Sequence, residues 1–329
     1  MSANARVAVV VRTKNRSVLL ARALADIFDQ TFADLTVVVV NDGGDPAPVD
    51  AIAGAYAHLP AGRLMVIHHL HSAGMEAASN AGIRASQSDY IVIHDDDDRW
   101  HPDFLLNTVQ HLDAHPGVRG VTVRTEIVFE DIIAGEILQT GTQPWCSELT
   151  SITLADMMTS NRMVPISFLY RRAVHEEVGY YNEDLDAVGD WEFSLRFLSY
   201  NSIDLLSEEP LAYWCQRPSL DGDLGNSVIA AADDHQKFDR YVRDHHLRHE
   251  IRQGGLGSLL YLAEMAGAQE AEAAHARRTA ELLIDKVDRL AQRMEALEES
   301  VQRRTSLTDL AKRPGRFLAL IRDVLQGRR

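Results

Sequence analysis

Tyr90-Ile91-Val92-Ile93-His94-Asp95-Asp96-Asp97-Asp98 runs a short apolar segment straight into four consecutive carboxylates. Continuous, short and β-branched, Tyr90 to His94 reads as a strand buried on both faces. The pattern occurs three more times upstream. Val7 to Val11 leads into Arg12-Thr13-Lys14-Asn15-Arg16, Leu35 to Val40 into the turn signal Asn41-Asp42-Gly43-Gly44, and Leu64 to His69 into a polar stretch ending at Gly74. Helical spacing fills the intervals: Ser17 to Asp29, Val49 to His58 and the Ala-rich Gly74 to Ser86, with Pro102 opening a further helix. Strands alternating with helices at this pace imply parallel β-α-β units. Continuously apolar strands fit a sheet covered on both faces. In such α/β sheets ligands gather beyond the carboxyl ends of the strands, so the polar clusters are expected to converge on one rim.

Past residue 118 the pattern becomes mixed. Val118 to Phe129 and Glu136 to Gln139 predict a hairpin, Ile166 to Tyr170 and Leu211 to Cys215 strands, Glu192 to Tyr200 and Asn226 to His246 helices. From Ala273 the apolar residues Ala276, Ala280, Leu283, Val287, Leu290, Met294, Leu297 and Val301 follow at alternating spacings of three and four. That is a heptad seam and predicts a coiled coil; a long helix lying on its own domain is the alternative. Ser306-Leu307-Thr308-Asp309 is a variant capping box, and Pro314-Gly315 breaks the chain. Arg316 to Arg329 is a basic amphipathic segment that gathers Phe317, Leu318, Leu320, Ile321, Val324 and Leu325 on one helical face. It suits either an anionic membrane surface or a protein partner.

The chain has 329 residues, 46% of them hydrophobic, enough for a substantial core. No apolar run is long enough to span a bilayer, and Met1 to Arg6 has no signal-peptide character. Two cysteines make no disulfide framework, and a reducing cytoplasm is the expected compartment. A formal charge of −15 argues against nonspecific nucleic-acid binding, yet an acidic protein holds a diphosphate when a divalent cation lies between them.

Crowded carboxylates at a strand end raise one another's pKa unless the loop is solvated or a cation bridges them. Hard oxygen ligands suit Mg²⁺ or Mn²⁺, which complete their shells with water and phosphate. Asp42 follows a buried strand and suits a ribose or base edge, or simply forms a turn. Thr13 and Arg16 suit a base or phosphate, and Gly74, Asn80 and Gly82 either allow close approach at the rim or pack a helix. Downstream, Asp190 of Gly189-Asp190-Trp191-Glu192 is a helix N-cap or a general base, and Trp191 a stacking platform or core.

Val9-Val10-Val11-Arg12-Thr13-Lys14-Asn15-Arg16, Val40-Asn41-Asp42-Gly43, Gly74 through Gly82, Ile93-His94-Asp95-Asp96-Asp97-Asp98 and Gly189-Asp190-Trp191, in that order and spacing, resemble the family 2 glycosyltransferases with the GT-A fold, over about residues 5–220. The resemblance implies a Rossmann-type mixed α/β sheet and inverting transfer from a nucleoside-diphosphate sugar to a hydroxyl of a glycan or lipid-linked acceptor. Bacterial surface polysaccharide assembly is the implied setting. Thr13, Asn15, Arg16, Asp42, Gly74, Asn80, Asp95 and Asp96 would line the donor site. Asp95 and Asp97 match the DxD motif, with Asp97 holding Mn²⁺ or Mg²⁺ on the diphosphate. Asp190 matches the base, with Trp191 and Arg217 toward the acceptor or leaving group. The sequence departs from the family where an acidic pair is common, having Gly189 before Asp190, and no late metal-ligating His is evident near Tyr213 to Arg217.

The expected organisation is a GT-A domain over 1–220, a helical segment packing on it over 221–270, a coiled-coil oligomerisation helix over 271–304 and a basic tail over 305–329. Two competing readings are a sugar nucleotidyltransferase, which the glycine-free Val9 to Arg16 disfavours, and a catalytically degenerate scaffold, which Asp42, Asp97 and Asp190 disfavour. The heptad seam predicts a homo-oligomer, to which a peripheral contact with the inner face of the cell membrane would add. Light scattering of the full chain at micromolar concentration is expected to give a mass of two or more chains; a single-chain mass refutes the coiled coil.

Overall fold

A computed structural model describes residues 5–206, 209–220, 222–226, 232–305 and 314–325 of the chain. Its first half is built as the apolar runs dictate: β1 (Val7–Thr13), α1 (Ser17–Phe28), β2 (Leu35–Asp42), α2 (Pro46–Gly54), β3 (Leu64–His69), α3 (Met75–Ala85) and β4 (Tyr90–Asp95). Every residue of β1 and β2 is buried, as expected for strands covered on both faces. The two-residue period of the pleat divides β1 between two cores. Val7, Val9 and Val11 join Leu20, Leu24 and Ile27 of α1, while Val10 joins Ala78 and Ile83 of α3.

The second half comprises β5 (Arg99–Trp100), α4 (Phe104–Ala114), β6 (Gly120–Val123), β7 (Thr125–Ile133), β8 (Glu136–Trp145), α5 (Leu154–Thr159), β9 (Phe168–Arg171), α6 (Val174–Val178), α7 (Gly189–Leu198), β10 (Ile203–Leu206) and β11 (Ala212–Gln216). The main sheet has seven strands in the order β10-β6-β9-β4-β1-β2-β3. β9 runs antiparallel to both its neighbours, and the remaining pairs are parallel. A second sheet, β5-β11-β7-β8, stands beside the end of β4. The expected hairpin over Val118 to Phe129 is therefore corrected. Its first half is β6 of the main sheet; only its second half, β7, pairs with β8, and the chain changes sheets at Arg124.

The chain divides into two compact units, Met1–His246 and Leu247–Arg329, so the first extends past residue 220. Helix α8 (Ala232–Glu250) buries Phe238 and Val242 in the core that also holds Trp191. In the second unit α9 (Leu256–Thr305) is one helix of 50 residues. Its seam residues Leu283, Val287, Leu290, Met294 and Leu297 are exposed, at 56 to 64%. Pro314 opens α10 (Pro314–Leu325), as its fixed φ allows at a first helical position. The capping box at Ser306 to Asp309, with Lys312, Arg313 and the last four residues, lies outside the described residues. Among the described residues no helix is long and apolar enough to cross a membrane.

Gly82 shows how closely α3 lies on the sheet. A Cβ at this position would overlap the side chain of Val10. Gly82→Ala is expected to cost about 1–3 kcal/mol in chemical denaturation through overpacking. Combining it with Val10→Ala, which opens the space, is expected to recover part of that loss. A neutral Gly82→Ala would mean the helix is free to shift.

Candidate active site

The carboxyl ends of β1, β2 and β4 open onto a cavity of about 820 Å³. Register fixes much of its wall. Arg12 lies opposite Asp95 across the β1/β4 pair, and its Nε and Nη2 donate to Asp95 Oδ1 at 2.8 and 2.5 Å. Asp42 lies opposite His69 across β2/β3, and the two hydrogen-bond at 2.7 Å. Ser72 Oγ and the backbone N–H groups of Ala73 and Gly74 also donate to Asp42. Burial works to raise the Asp42 pKa, but these donors outweigh it and hold the carboxyl below its ordinary value. Asp42 thus pins the loop that leads into α3 at Gly74, whose φ of 97° is natural to glycine.

The four acids divide among different partners. Asp96 accepts from Thr13 Oγ1 at 2.7 Å and from Arg16 at 3.3 Å. Asp97 Oδ2 accepts from Arg217, Asn226 and Arg16. Asp98 accepts the backbone N–H of Cys215. Burial pushes Asp96 and Asp98 up from the ordinary carboxylate value; Arg16 opposes this at Asp96, while Asp97 adds to it at both. Asp95 Oδ2 and Asp97 Oδ1 accept no hydrogen bond among the described residues. No three His, Cys, Asp or Glu side chains there are gathered so as to hold a metal by themselves. The donor set therefore fits a hard cation that brings phosphate and water oxygens with it.

Across the cavity, Asp190 is the second residue of α7, and Asn161 Nδ2 holds its Oδ2 at 2.9 Å. Burial raises the Asp190 pKa, against hydrogen bonds from the Trp191 backbone and Asn161 and the charge of Arg12. Trp191 is 2% exposed and its indole N–H is spent on Met157 O, so little of the ring is open to the cavity. Trp145, Trp214 and His235 also line the wall.

Of the residues expected here, Thr13, Arg16, Asp42, Gly74, Asp95, Asp96, Asp97, Asp190 and Trp191 meet in this cavity. Three do not. Asn15, at φ 56°, caps Asp45 N and contacts Asp223. Asn80 is buried, tying α3 to Tyr181 and Glu183. Arg217 is 0% exposed and bridges the Asp97 carboxylate to Glu130, so its side chain does not reach the cavity. Among the wall residues to which the sequence gives no role are Arg12, legible only as part of a motif, and Glu76, an acid in the first turn of a helix. Glu76 is 2% exposed, and burial pushes its pKa up to about 8, with Arg12 opposing and Asp190 adding.

Residues 8–179 match the family described as Glycosyl transferase family 2. The chain is 32% identical over 196 residues to the uncharacterized glycosyltransferase YwdF of Bacillus subtilis, across 58% of this chain and 67% of that protein. It is 36% identical over 96 residues to the succinoglycan biosynthesis protein ExoW of Rhizobium meliloti, across 29% of this chain and 30% of that one. Among solved structures, S. aureus TarS 1-349 in complex with UDP-GlcNAc matches with a TM-score of 0.52 at 19% identity, covering 66% of this chain and 59% of that one. At that identity the likeness is one of fold. The chain spans under a third of ExoW and under two thirds of TarS 1-349.

The raised carboxyls set a pH dependence. Between its ordinary value of 4.5 and about 8, the folded chain keeps the Glu76 proton that the unfolded chain has lost, so raising the pH costs stability. His94 and His175, lowered from 6.5 by burial, act in the opposite sense but only below that pH. The ligand-free protein is therefore expected to melt at progressively lower temperature from about pH 6.5 to about pH 9, with a shallower decline for Glu76→Gln. Scanning calorimetry at fixed ionic strength checks it; a flat wild-type profile contradicts it.

Proposed function

This chain belongs to glycosyl transferase family 2, and from that premise we propose that its cavity takes a nucleoside-diphosphate sugar and inverts it onto a hydroxyl of a glycan or lipid-linked acceptor. The supporting observation is that one cavity of about 820 Å³ is lined by Asp95, Asp97 and Asp190 together. That volume lies within the range of small-molecule sites.

On this reading Thr13, Arg16 and the loop pinned by Asp42 face the nucleoside, and Asp95 and Asp97 the diphosphate. Their unpartnered oxygens would hold a divalent cation, which supplies Lewis-acid neutralisation of the charge that develops on the leaving diphosphate. Asp190 accepts the proton of the acceptor hydroxyl as that oxygen attacks the anomeric carbon and the diphosphate oxygen departs from the opposite face. A carboxylate whose pKa burial has raised is a better base than a solvated one. Asn161 fixes its orientation without satisfying both oxygens. Similarity to ExoW over part of the chain supports a glycan-assembly setting, and the exposed seam of α9 supports self-association.

The contacts of Asp97 decide which variants test this. Asp97→Ala takes from the buried Arg217 one of the two carboxylates it bridges, a cost on the order of a few kcal/mol, so loss of activity in it would report on folding as much as on chemistry. Asp97→Asn and Asp190→Asn keep the shape of each side chain. Nucleotide release from a panel of nucleotide sugars with Mn²⁺ is expected to fall about 100-fold or more in Asp190→Asn, with nucleotide binding retained. Asp97→Asn is expected to weaken Mn²⁺-dependent nucleotide binding itself. Undiminished turnover in Asp190→Asn removes it as the base.

A further inference from the structure

Glu76 is the buried acid that the mechanism above leaves unused. It lies in the first turn of α3 and lines the cavity at 2% exposure. Its Oε2 has no hydrogen-bond partner, and Arg12 Nη1 stands 3.9 Å away, beyond hydrogen-bond reach. A buried carboxyl oxygen with no donor is costly, and beside a cavity it is open to a hydrogen bond from whatever the cavity holds. Its neighbour across the cavity wall is Gly189. A Cβ on Gly189 would overlap the carboxyl and Cγ of Glu76, so the Glu76 head group fills the volume that a side chain at position 189 would occupy. Asp190 follows immediately and is close enough for its charge to act on Glu76. Arg12 faces Glu76 from β1, and through its bonds to Asp95 it connects this corner to the diphosphate wall.

Resting on the donor site proposed above, we infer that Glu76 is the acidic partner of Asp190, delivered from α3 in place of a side chain at position 189, and that its carboxyl hydrogen-bonds a hydroxyl of the donor sugar. The placement between Arg12–Asp95 and Asp190 is where the sugar must lie if the diphosphate is on one side and the attacking hydroxyl on the other. The raised pKa agrees with this role, since a carboxyl near its protonation midpoint both donates to and accepts from a hydroxyl. The glycine at 189 then has a physical reason: any larger residue would displace the Glu76 carboxyl.

Calorimetric titration of the full chain with UDP-GlcNAc, UDP-glucose and GDP-mannose, each against its sugar-free nucleoside diphosphate and all with Mn²⁺, isolates the sugar contribution. In the wild type the preferred nucleotide sugar is expected to bind more tightly than its diphosphate. Glu76→Ala is expected to reduce that ratio about ten- to hundredfold while leaving the diphosphate affinity within about twofold, with Glu76→Gln intermediate. Gly189→Ala alone is expected to lower the melting temperature, and Glu76→Ala combined with Gly189→Ala to relieve that loss. Glu76→Ala combined with Gly189→Glu is expected to regain part of the sugar contribution. An unchanged ratio in a Glu76→Ala protein that still binds the diphosphate overturns the inference and leaves the donor site standing. Failure of the wild type to bind any of these nucleotides overturns both.

Discussion

Asp95, Asp96, Asp97 and Asp98 are consecutive, the last three of them buried, and their repulsion has to be met inside the fold. It is met by arginines from three places in the chain. Arg12 arrives by register from β1, Arg16 from the start of α1, and Arg217 from the end of β11. Arg22 on α1 donates to the Asp97 carbonyl and joins Glu130 of β7, so the second sheet is tied to the same cluster. The placement of α1, the attachment of the small sheet to the end of β4 and the shape of the cavity all answer to this one electrostatic constraint. Each arginine faces two acids, so removing one member changes the charge balance around several others.

The division of labour within the cluster follows from which oxygens the arginines leave open. Asp96 and Asp98 are consumed by the protein and hold the turn in place. Asp95 and Asp97, both lining the cavity, each give one oxygen to arginine, and the other accepts no hydrogen bond among the described residues.

The first half of the fold was legible because its signals are local. A run such as Val37 to Val40, followed by Asn41-Asp42-Gly43, announces both a buried strand and its end. The crossing of Val118 to Phe129 from one sheet to the other at Arg124 was not, because a single residue separates the two strands and carries no signature of a change of sheet. β10, at Ile203–Leu206, is a short edge strand with little pattern to read. Within the site, acids at strand ends were found from position alone. Asn80 and Arg217 had the right residue type at the right place in the chain and still turned inward, since burial is decided by the partners Glu183 and Glu130. Glu76 escaped notice for the converse reason. In a helix beginning Met-Glu-Ala-Ala an acid in the first turn is ordinary, and only packing against Gly189 makes it unusual.

The charge on the whole chain gives the donor site one more property. At −15, the protein repels a free nucleoside diphosphate, and the carboxylates of Asp95 and Asp97 in the cavity wall add to that locally. A dianionic diphosphate carrying one divalent cation arrives close to neutral, so it avoids the repulsion that the bare anion would meet. Two carboxylate oxygens are too few to retain a cation strongly without the phosphates, and the arginines already committed to Asp95, Asp96 and Asp97 are not free to retain phosphates without a cation. On the proposed reading each component therefore supplies what the other lacks, and the site selects the pair over either alone.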